Sequence, residues 1–185
     1  YPDFKITIID SKCASIGFGL VVYKLLKMQK NGAPRELLIE AAKFYCEHME
    51  HVVTVTTLEY LARGGRLSRS SAAIGSVLDI KPIIIVDEKG ALVASEKVRG
   101  MKKAVKRCLE LVKEKGAELS RQTVGICYGA DESICEDAER ALREEFHVKE
   151  ILKTQVGCAI GAHTGPGILG IVFENAIDER FEEYL

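Results

Sequence analysis

The hydrophobic residues of this chain recur with two spacings, one typical of strands and one typical of helices. Runs of Ile and Val such as 83–86 predict strands, whereas apolar residues three and four positions apart, such as Leu38, Ala42 and Tyr45, predict helices. Predicted strands cover residues 5–10, 52–55, 81–86, 91–98, 123–128, 148–154 and 168–173. Predicted helices cover residues 15–30, 34–50, 56–61, 68–78, 100–115 and 132–146.

The order of these elements changes near residue 63. Before it, the order strand-helix-helix-strand-helix resembles the second half of an α/β sandwich. After it, a hairpin followed by strand-helix-strand-loop-strand is typical of an α+β unit with a mixed sheet. We therefore predict the α/β class, with a partial N-terminal α/β sandwich at 1–62 and a C-terminal α+β domain at 63–185. The sheet of the second domain is predicted to be mixed and largely antiparallel.

Composition narrows the class of protein. The 185 residues are 47% hydrophobic and 29% charged, which is typical of a globular chain and excludes disordered and low-complexity classes. Lys and Arg number 26 against 27 Asp and Glu, so a nucleic-acid binder, which usually carries a basic excess, is not expected. No apolar run approaches the length of a membrane helix. The chain begins at Tyr1 without an initiator Met or a signal peptide, and we expect upstream chain to be missing.

The most informative stretch for chemistry is residues 157–167, which hold four glycines around His163 and Thr164. Glycines allow unusual backbone angles and close approach of main-chain N–H groups to a ligand. A His side chain can donate to a carboxylate or a phosphate. Two interpretations stay open, a ligand-binding loop and a turn in which His163 caps local carbonyls.

Two basic segments are further candidates. Residues 63–71 place arginines around Gly64-Gly65 and then serines that open a helix, an arrangement that can receive an anion. The alternative is an interdomain hinge with solvated arginines. Residues 96–103 form a basic cluster at a strand-to-helix junction, which by itself is typical of a solvated face.

The cysteines point away from metal binding. Six of them lie far apart and form no C-x-x-C pair, which favours buried or half-buried free thiols in a reducing cytosol. We therefore expect a cytoplasmic protein with no metal site. The alternative function is an enzyme acting on small phosphorylated or acyl substrates, with His163 as acid or base and Cys158 as nucleophile.

Four segments resemble the DegV family in order and spacing: TLEYLARGGRL at 57–67, LDIKPI at 78–83, EKVRG at 96–100 and HTGPG at 163–167. The resemblance extends over nearly the whole chain. It implies a two-domain α/β protein that holds one long-chain fatty acid, such as palmitate, with the acyl tail in a tunnel of the C-terminal domain. It also implies a carrier without cofactor or catalysis, which presents the carboxylate to a fatty acid kinase related to dihydroxyacetone kinase.

The resemblance carries site residues with it. Of the residues that bind the fatty-acid head group, it implies His163 of the HTGPG segment and Arg66 of the GGR turn, together with their neighbours Thr164 and Gly65. The family chain is longer at its N-terminus by roughly a hundred residues, which carry a Thr and a Ser that bind the carboxylate, and nothing here matches them. For the acyl tunnel we expect Ile74, Leu78, Ile80 and Phe173.

Arg99 is predicted to dock the kinase. It lies at a strand-to-helix junction, and Arg is favoured at interfaces because its planar fork pairs with carboxylates. The alternative is that Arg99 pairs with Glu96 on its own surface. A carrier of fatty acids would also make transient contact with membranes.

Overall fold

The computed structural model describes residues 2–67 and 79–185. Within them, six strands form one sheet in the order β3-β2-β1-β6-β4-β5. The strands are β1 (Met49–Thr54), β2 (Ile80–Val86), β3 (Leu92–Arg99), β4 (Thr123–Tyr128), β5 (Glu150–Gln155) and β6 (Leu169–Glu174). Among them β4 and β5 are parallel, and the other neighbouring pairs are antiparallel. The predicted α/β class with a mixed, largely antiparallel sheet is confirmed.

Five of the predicted helices occur near their expected positions. Those of the described residues are α1 (Ile16–Lys30), α2 (Arg35–His48), α3 (Glu59–Arg63), α4 (Met101–Lys115), α5 (Glu136–Glu144), α6 (Cys158–Thr164) and α7 (Glu179–Glu182). A 3₁₀ turn, Glu132–Cys135, precedes α5 and accounts for the early start of the helix predicted at 132–146. The helix predicted at 68–78 lies outside the described residues.

The strand predicted at 5–10 is wrong. These residues pair with no strand in the part of the chain that the structure describes, and Ile6 and Ile8 are 73% and 92% exposed. The alternation of apolar residues was real, but backbone groups form a strand only where a neighbouring strand accepts their hydrogen bonds. No such neighbour lies beside this segment among the described residues.

The glycine-rich stretch at 157–167 also differs from the prediction of a loop. Residues 158–164 form α6, because Ala159 and Ala162 favour a helix and one interior glycine, Gly161, is tolerated. Gly165 then ends the helix with a φ of 77°, a left-handed conformation that favours glycine.

Helices cover both faces of the sheet. On one face α4 and α5 bury a cluster that includes Val52, Ile126 and Phe173. On the other face α1 packs against α2 and lies mainly over β4. β1 lies in the middle of the sheet, between β2 and β6, although it belongs to the segment assigned to the first domain. The boundary at residue 62 stays a prediction.

Candidate functional site

A cavity of about 520 Å³ lies on the α1 face of the sheet, beside the helix. This volume is within the range of roughly 300–1,000 Å³ that is usual for small-molecule sites. Val53 of β1, Ile84 of β2 and Val172 of β6 contribute to its wall, and Ile160 of α6 closes one side. Half of the lining residues are aliphatic, and they form a continuous wall that suits an apolar ligand.

His163 lies in the last turn of α6, at the end of the cavity to which β1 leads. α6 packs against α3, which follows β1 in the chain. The ring lies against Gly64, where a Cβ atom would overlap the imidazole. Its Nδ1 atom is buried and has no hydrogen-bond partner among the described residues. Since Nδ1 faces Gly64, a ligand in the cavity can meet the imidazole only at its other edge, which carries Nε2.

Arg66 lies at the same end of the cavity. Its side chain is exposed and lines the cavity, and its Nη1 donates to the carbonyl oxygen of Gly64 over 2.8 Å. Gly65 between them has a φ of 69°, which fixes the turn and favours glycine. His163 and Arg66 thus both contact Gly64, and the fold brings together two residues that lie far apart in sequence. Their role in binding stays a prediction.

Thr164 also lines the cavity, but its hydroxyl already donates a hydrogen bond within the protein. Its side chain is buried, and its hydroxyl donates to the carbonyl oxygen of Ile160 over 3.1 Å. This is the usual bond of a Thr hydroxyl to the preceding helical turn. In this arrangement Thr164 can offer a ligand only its lone pairs, so a carboxylate would depend on other donors. Its assignment to the head group also stays a prediction.

Of the residues expected in the acyl tunnel, the two that the structure describes, Ile80 and Phe173, do not line this cavity. Phe173 is fully buried in the cluster under α4, on the opposite face of the sheet. Ile80 is half-buried at the start of β2. Ile74 and Leu78 lie outside the described residues. The tunnel role of these four residues stays a prediction.

Residues 10–16, which sequence reasoning did not assign to the site, form another side of the cavity. Two of them, Lys12 and Ser15, have φ angles of 51°, a strained conformation for residues other than glycine. Lys12 packs against Gly90 in the turn between β2 and β3. Such strain persists only where the surroundings enforce it, and it often occurs at functional sites. In the sequence, the change from apolar residues to Asp10-Ser11 was the signal that could have indicated a site here.

His51 is the second residue that sequence reasoning missed. It lines the cavity, its side chain is 5% exposed, and both ring nitrogens lack hydrogen-bond partners within the described residues. Burial lowers the pKa of His51, although the nearby carbonyls of Met49 and Ala14 oppose this effect. The signal in the sequence was the alternation of His51 with Val53 and Val55, which places all three on one face of a strand.

The residues of the enzyme hypothesis are not brought together. Cys158 is exposed in the first turn of α6 and lines a separate, open depression with Tyr60 and Gly129, whereas His163 faces the cavity. Cys13 does line the cavity, but burial, with a smaller effect of Cys46, raises its pKa to about 12. A thiol with so high a pKa is a poor nucleophile at neutral pH. The expectation of buried or half-buried thiols is confirmed for five cysteines and wrong for Cys158.

Arg99 is exposed at the end of β3, directly before Gly100 opens α4 with a φ of 87°. The alternative partner, Glu96, is held by Arg107 through two hydrogen bonds of 2.8 and 2.9 Å. Arg99 makes no ion pair with any described residue. Its guanidinium is therefore not paired with Glu96, the acid of the alternative interpretation.

No group of three or more His, Cys, Asp or Glu side chains in residues 2–67 and 79–185 is arranged to hold a metal ion. Among the same residues, no helix is long and apolar enough to span a membrane.

Comparison with known proteins places the chain in a family context. A family model described as "Uncharacterised protein, DegV family" matches residues 1–176. A DegV domain-containing protein of Caldanaerobacter subterraneus subsp. tengcongensis is 35% identical over 170 residues, which cover 92% of this chain and 60% of the relative. The chain thus spans about 60% of the length of the curated relatives it matches.

Solved structures share the fold. One is a DegV family protein from Thermus thermophilus whose structure is described as showing fatty acid binding. It matches with a TM-score of 0.85 and 27% sequence identity, and the match covers 94% of this chain and 62% of the Thermus chain. The Fatty Acid Kinase (Fak) B3 protein of Streptococcus pneumoniae, loaded with linoleic acid, has a TM-score of 0.86 at 26% identity, with coverages of 95% and 62%.

Proposed function

Since this chain belongs to the DegV family, we propose that it binds one long-chain fatty acid, such as palmitate, and presents the carboxylate to a fatty acid kinase. The observation that carries the proposal is the apolar cavity with the imidazole of His163 and the guanidinium of Arg66 at one end. The comparisons support it through the ligands named for the Thermus and Streptococcus proteins.

The tail supplies the affinity. Burial of an acyl chain is worth about 0.8 kcal/mol for each CH₂ group, so a long chain gains on the order of 10 kcal/mol. Lost freedom of motion and ordered side chains offset part of this gain. The aliphatic wall formed by residues such as Val53, Ile84 and Val172 matches this requirement.

The head group sets the orientation. A carboxylate removed from water would cancel much of the gain unless donors and positive charge replace its hydration. His163 provides a donor from the ring edge that carries Nε2, and Arg66 provides a charge at the cavity mouth. The fatty acid therefore lies with its carboxylate towards His163 and its tail along β1.

A carrier role suits this arrangement better than catalysis. The chemistry on the carboxylate belongs to the kinase, which is related to dihydroxyacetone kinase, and the carrier keeps the resulting acyl phosphate. The separation of Cys158 from His163 and the high pKa of Cys13 disfavour the enzyme hypothesis. Such a carrier exchanges its cargo with membranes and works in the cytoplasm, without cofactor, metal or nucleic acid.

The test is the identity of the bound ligand. We expect the full-length gene product, of which these 185 residues are the whole or a part, to release long-chain fatty acid on denaturation after production in a bacterial host. Mass spectrometry identifies the released molecule. A protein that remains empty after incubation with palmitate, or that releases only polar molecules, contradicts the proposal.

A further inference from the structure

The chain after α6 is held by two side chains from the stretch that leads out of β1. A Cβ atom at Gly165 would overlap the ring of Tyr60, and a Cβ atom at Gly167 would overlap the side chain of Thr56. Real Cβ atoms do not come so close to other atoms, so only glycine fits at either position without a shift. The two glycines therefore let Tyr60 and Thr56 pack directly on the backbone.

The contact between Gly64 and the imidazole of His163 continues this arrangement. Residues 56, 60 and 64 meet residues 167, 165 and 163 in that order, so the two segments run in opposite directions. The first segment makes a contact at every fourth residue, about one helical turn, and the second at every second residue. The position of His163 is thus set by three successive contacts, of which Tyr60 makes the middle one.

Tyr60 reaches His163 through the end of α6. This helix has seven residues, and an isolated helix of that length is not stable in water, so its orientation depends on what packs against it. Gly165 ends the helix with a hydrogen bond of 2.8 Å from its N–H to the carbonyl oxygen of Gly161, and the Tyr60 ring lies on this end. The ring is itself held, because the guanidinium of Arg63 lies 5.9 Å from its centroid. Loss of the ring would therefore free the end of the helix that carries His163.

Tyr60 has no direct access to a ligand in the cavity. It is not among the residues that line the cavity in the described part of the chain, and it lies half-buried beside the separate depression that holds Cys158. Nor does it belong to any of the three clusters of buried side chains that the described residues form. An effect of Tyr60 on binding must accordingly pass through a residue that does line the cavity, and the three contacts lead to His163.

We propose, building on the fatty-acid function above, that Tyr60 is a positioning residue for the carboxylate site. It holds the end of α6 so that the ring edge of His163 that carries Nε2 meets the carboxylate at hydrogen-bond distance. A hydrogen bond weakens steeply as its angle bends or its length grows, so a small displacement of the helix end is enough to lose it. Tyr60 thus contributes to head-group recognition without touching the fatty acid.

The experiment combines Tyr60→Ala with His163→Ala in the delipidated full-length gene product and measures the binding of palmitate by calorimetric titration. Tyr60→Ala alone should weaken palmitate binding about tenfold, the effect of losing a hydrogen bond to a charged group. In a protein that already carries His163→Ala it should cause almost no further loss, because nothing remains to be positioned. Tyr60→Phe keeps the ring and should bind palmitate like the wild type. Tyr128→Ala removes an aromatic ring that does not line the cavity, and it is the matched control with unchanged affinity.

A neutral ligand separates positioning from general loss of structure. Methyl palmitate keeps the tail and lacks the charge of the carboxylate, so displacement of His163 should cost it little. A collapsed cavity would instead weaken the binding of both ligands alike. We therefore expect Tyr60→Ala to reduce the affinity for palmitate far more than the affinity for methyl palmitate.

Four results would overturn the proposal: unchanged palmitate affinity in Tyr60→Ala, an equal loss for palmitate and methyl palmitate, a full further loss in the His163→Ala background, or the same loss in Tyr60→Phe. If Tyr60→Ala fails to fold, Tyr60→Leu, which keeps more of the apolar volume, takes its place in the same comparisons. Failure of the wild type to bind palmitate contradicts the fatty-acid function as a whole, whereas wild-type binding without these effects contradicts the role of Tyr60 alone.

Discussion

Gly64 and His163 are packed so closely that no side chain fits between them. A Cβ atom at Gly64 would overlap Nδ1 of His163, the atom that lacks a partner. Gly64 also presents its carbonyl oxygen to the guanidinium of Arg66. One glycine thus fixes the positions of both residues proposed to hold the carboxylate, and its φ of −78° shows that it is needed for space and not for backbone conformation.

The first prediction is that Gly64→Ala weakens fatty-acid binding although it adds only a methyl group. The methyl group displaces the His163 ring, so the effect should approach that of losing the imidazole. Titration with palmitate measures the change. Gly157→Ala is the matched control, because a Cβ atom there meets nothing within 4 Å and the backbone angle is ordinary. Equal affinity of the Gly64 variant and the wild type would contradict the role of this contact.

The second prediction concerns the imidazole itself. His163→Ala is expected to weaken fatty-acid retention by about 1.5–3 kcal/mol, the value of a hydrogen bond to a charged group. The fold should remain intact, because the ring lies at a cavity wall and not in the core. Arg66→Ala should act in the same direction but less, since this side chain is exposed to solvent that screens its charge. Titration and thermal unfolding together separate binding from stability, and an unfolded His163 variant would support the turn-cap interpretation.

Most of the sheet could be predicted from the sequence because local pattern and burial agree there. The strand at 123–128 has the predicted bounds, and the strands predicted at 81–86 and 91–98 lie within one residue of β2 and β3. These segments alternate, or are apolar throughout, and turns such as 87–90 bound them. The strand at 5–10 carried the same kind of pattern and failed, because pairing depends on a neighbour that no local pattern reveals.

The candidate site was predictable only where a motif marked it. His163 and Arg66 belong to recognisable segments, and the structure brings them to one glycine. His51 belongs to no motif, and its burial depends on Gly17, which comes from a helix 34 positions earlier in the chain. Residues 10–16 were missed for the same reason, since their place at the cavity follows from tertiary packing.

The third prediction concerns the ion pair between Lys24 of α1 and Glu174 of β6, which joins helix and sheet over 2.5 Å with both side chains almost fully buried. Lys24→Met leaves a buried carboxylate without its cation and should lower the free energy of unfolding by about 3–5 kcal/mol. Adding Glu174→Leu should recover most of the lost free energy of unfolding, because the uncompensated charge is then gone. Urea unfolding measures both. Glu40→Gln, which breaks the exposed pair of Glu40 with Arg180, is the control and should cost below about 1 kcal/mol.

The fourth prediction is a dependence of stability on pH that originates at His51. Burial lowers its pKa below the ordinary 6.5, so the unfolded chain binds a proton where the folded chain does not. The contribution of His51 to the free energy of unfolding is therefore present above pH 6.5 and is lost as the pH falls towards the lowered pKa. The neighbouring charge of Glu50 opposes this shift without reversing it. We expect the free energy of unfolding, measured with urea from pH 7.5 down to about pH 5, to vary less with pH in His51→Phe than in the wild type. The same pH dependence in both proteins would contradict the assignment to His51.

The fifth prediction tests the kinase contact through Arg99. Its guanidinium is exposed, Glu96 is occupied by Arg107, and Gly100 beside it leaves the side chain unobstructed. Arg99→Ala should leave the fatty-acid content unchanged and slow kinase-dependent phosphorylation, because docking weakens while the cavity stays intact. Arg99→Glu should slow it further, most clearly at low salt, where charges act over longer distances. Lys43→Glu reverses an exposed charge on α2 and is the control. Unchanged kinetics for Arg99→Glu at low salt would place the docking surface elsewhere.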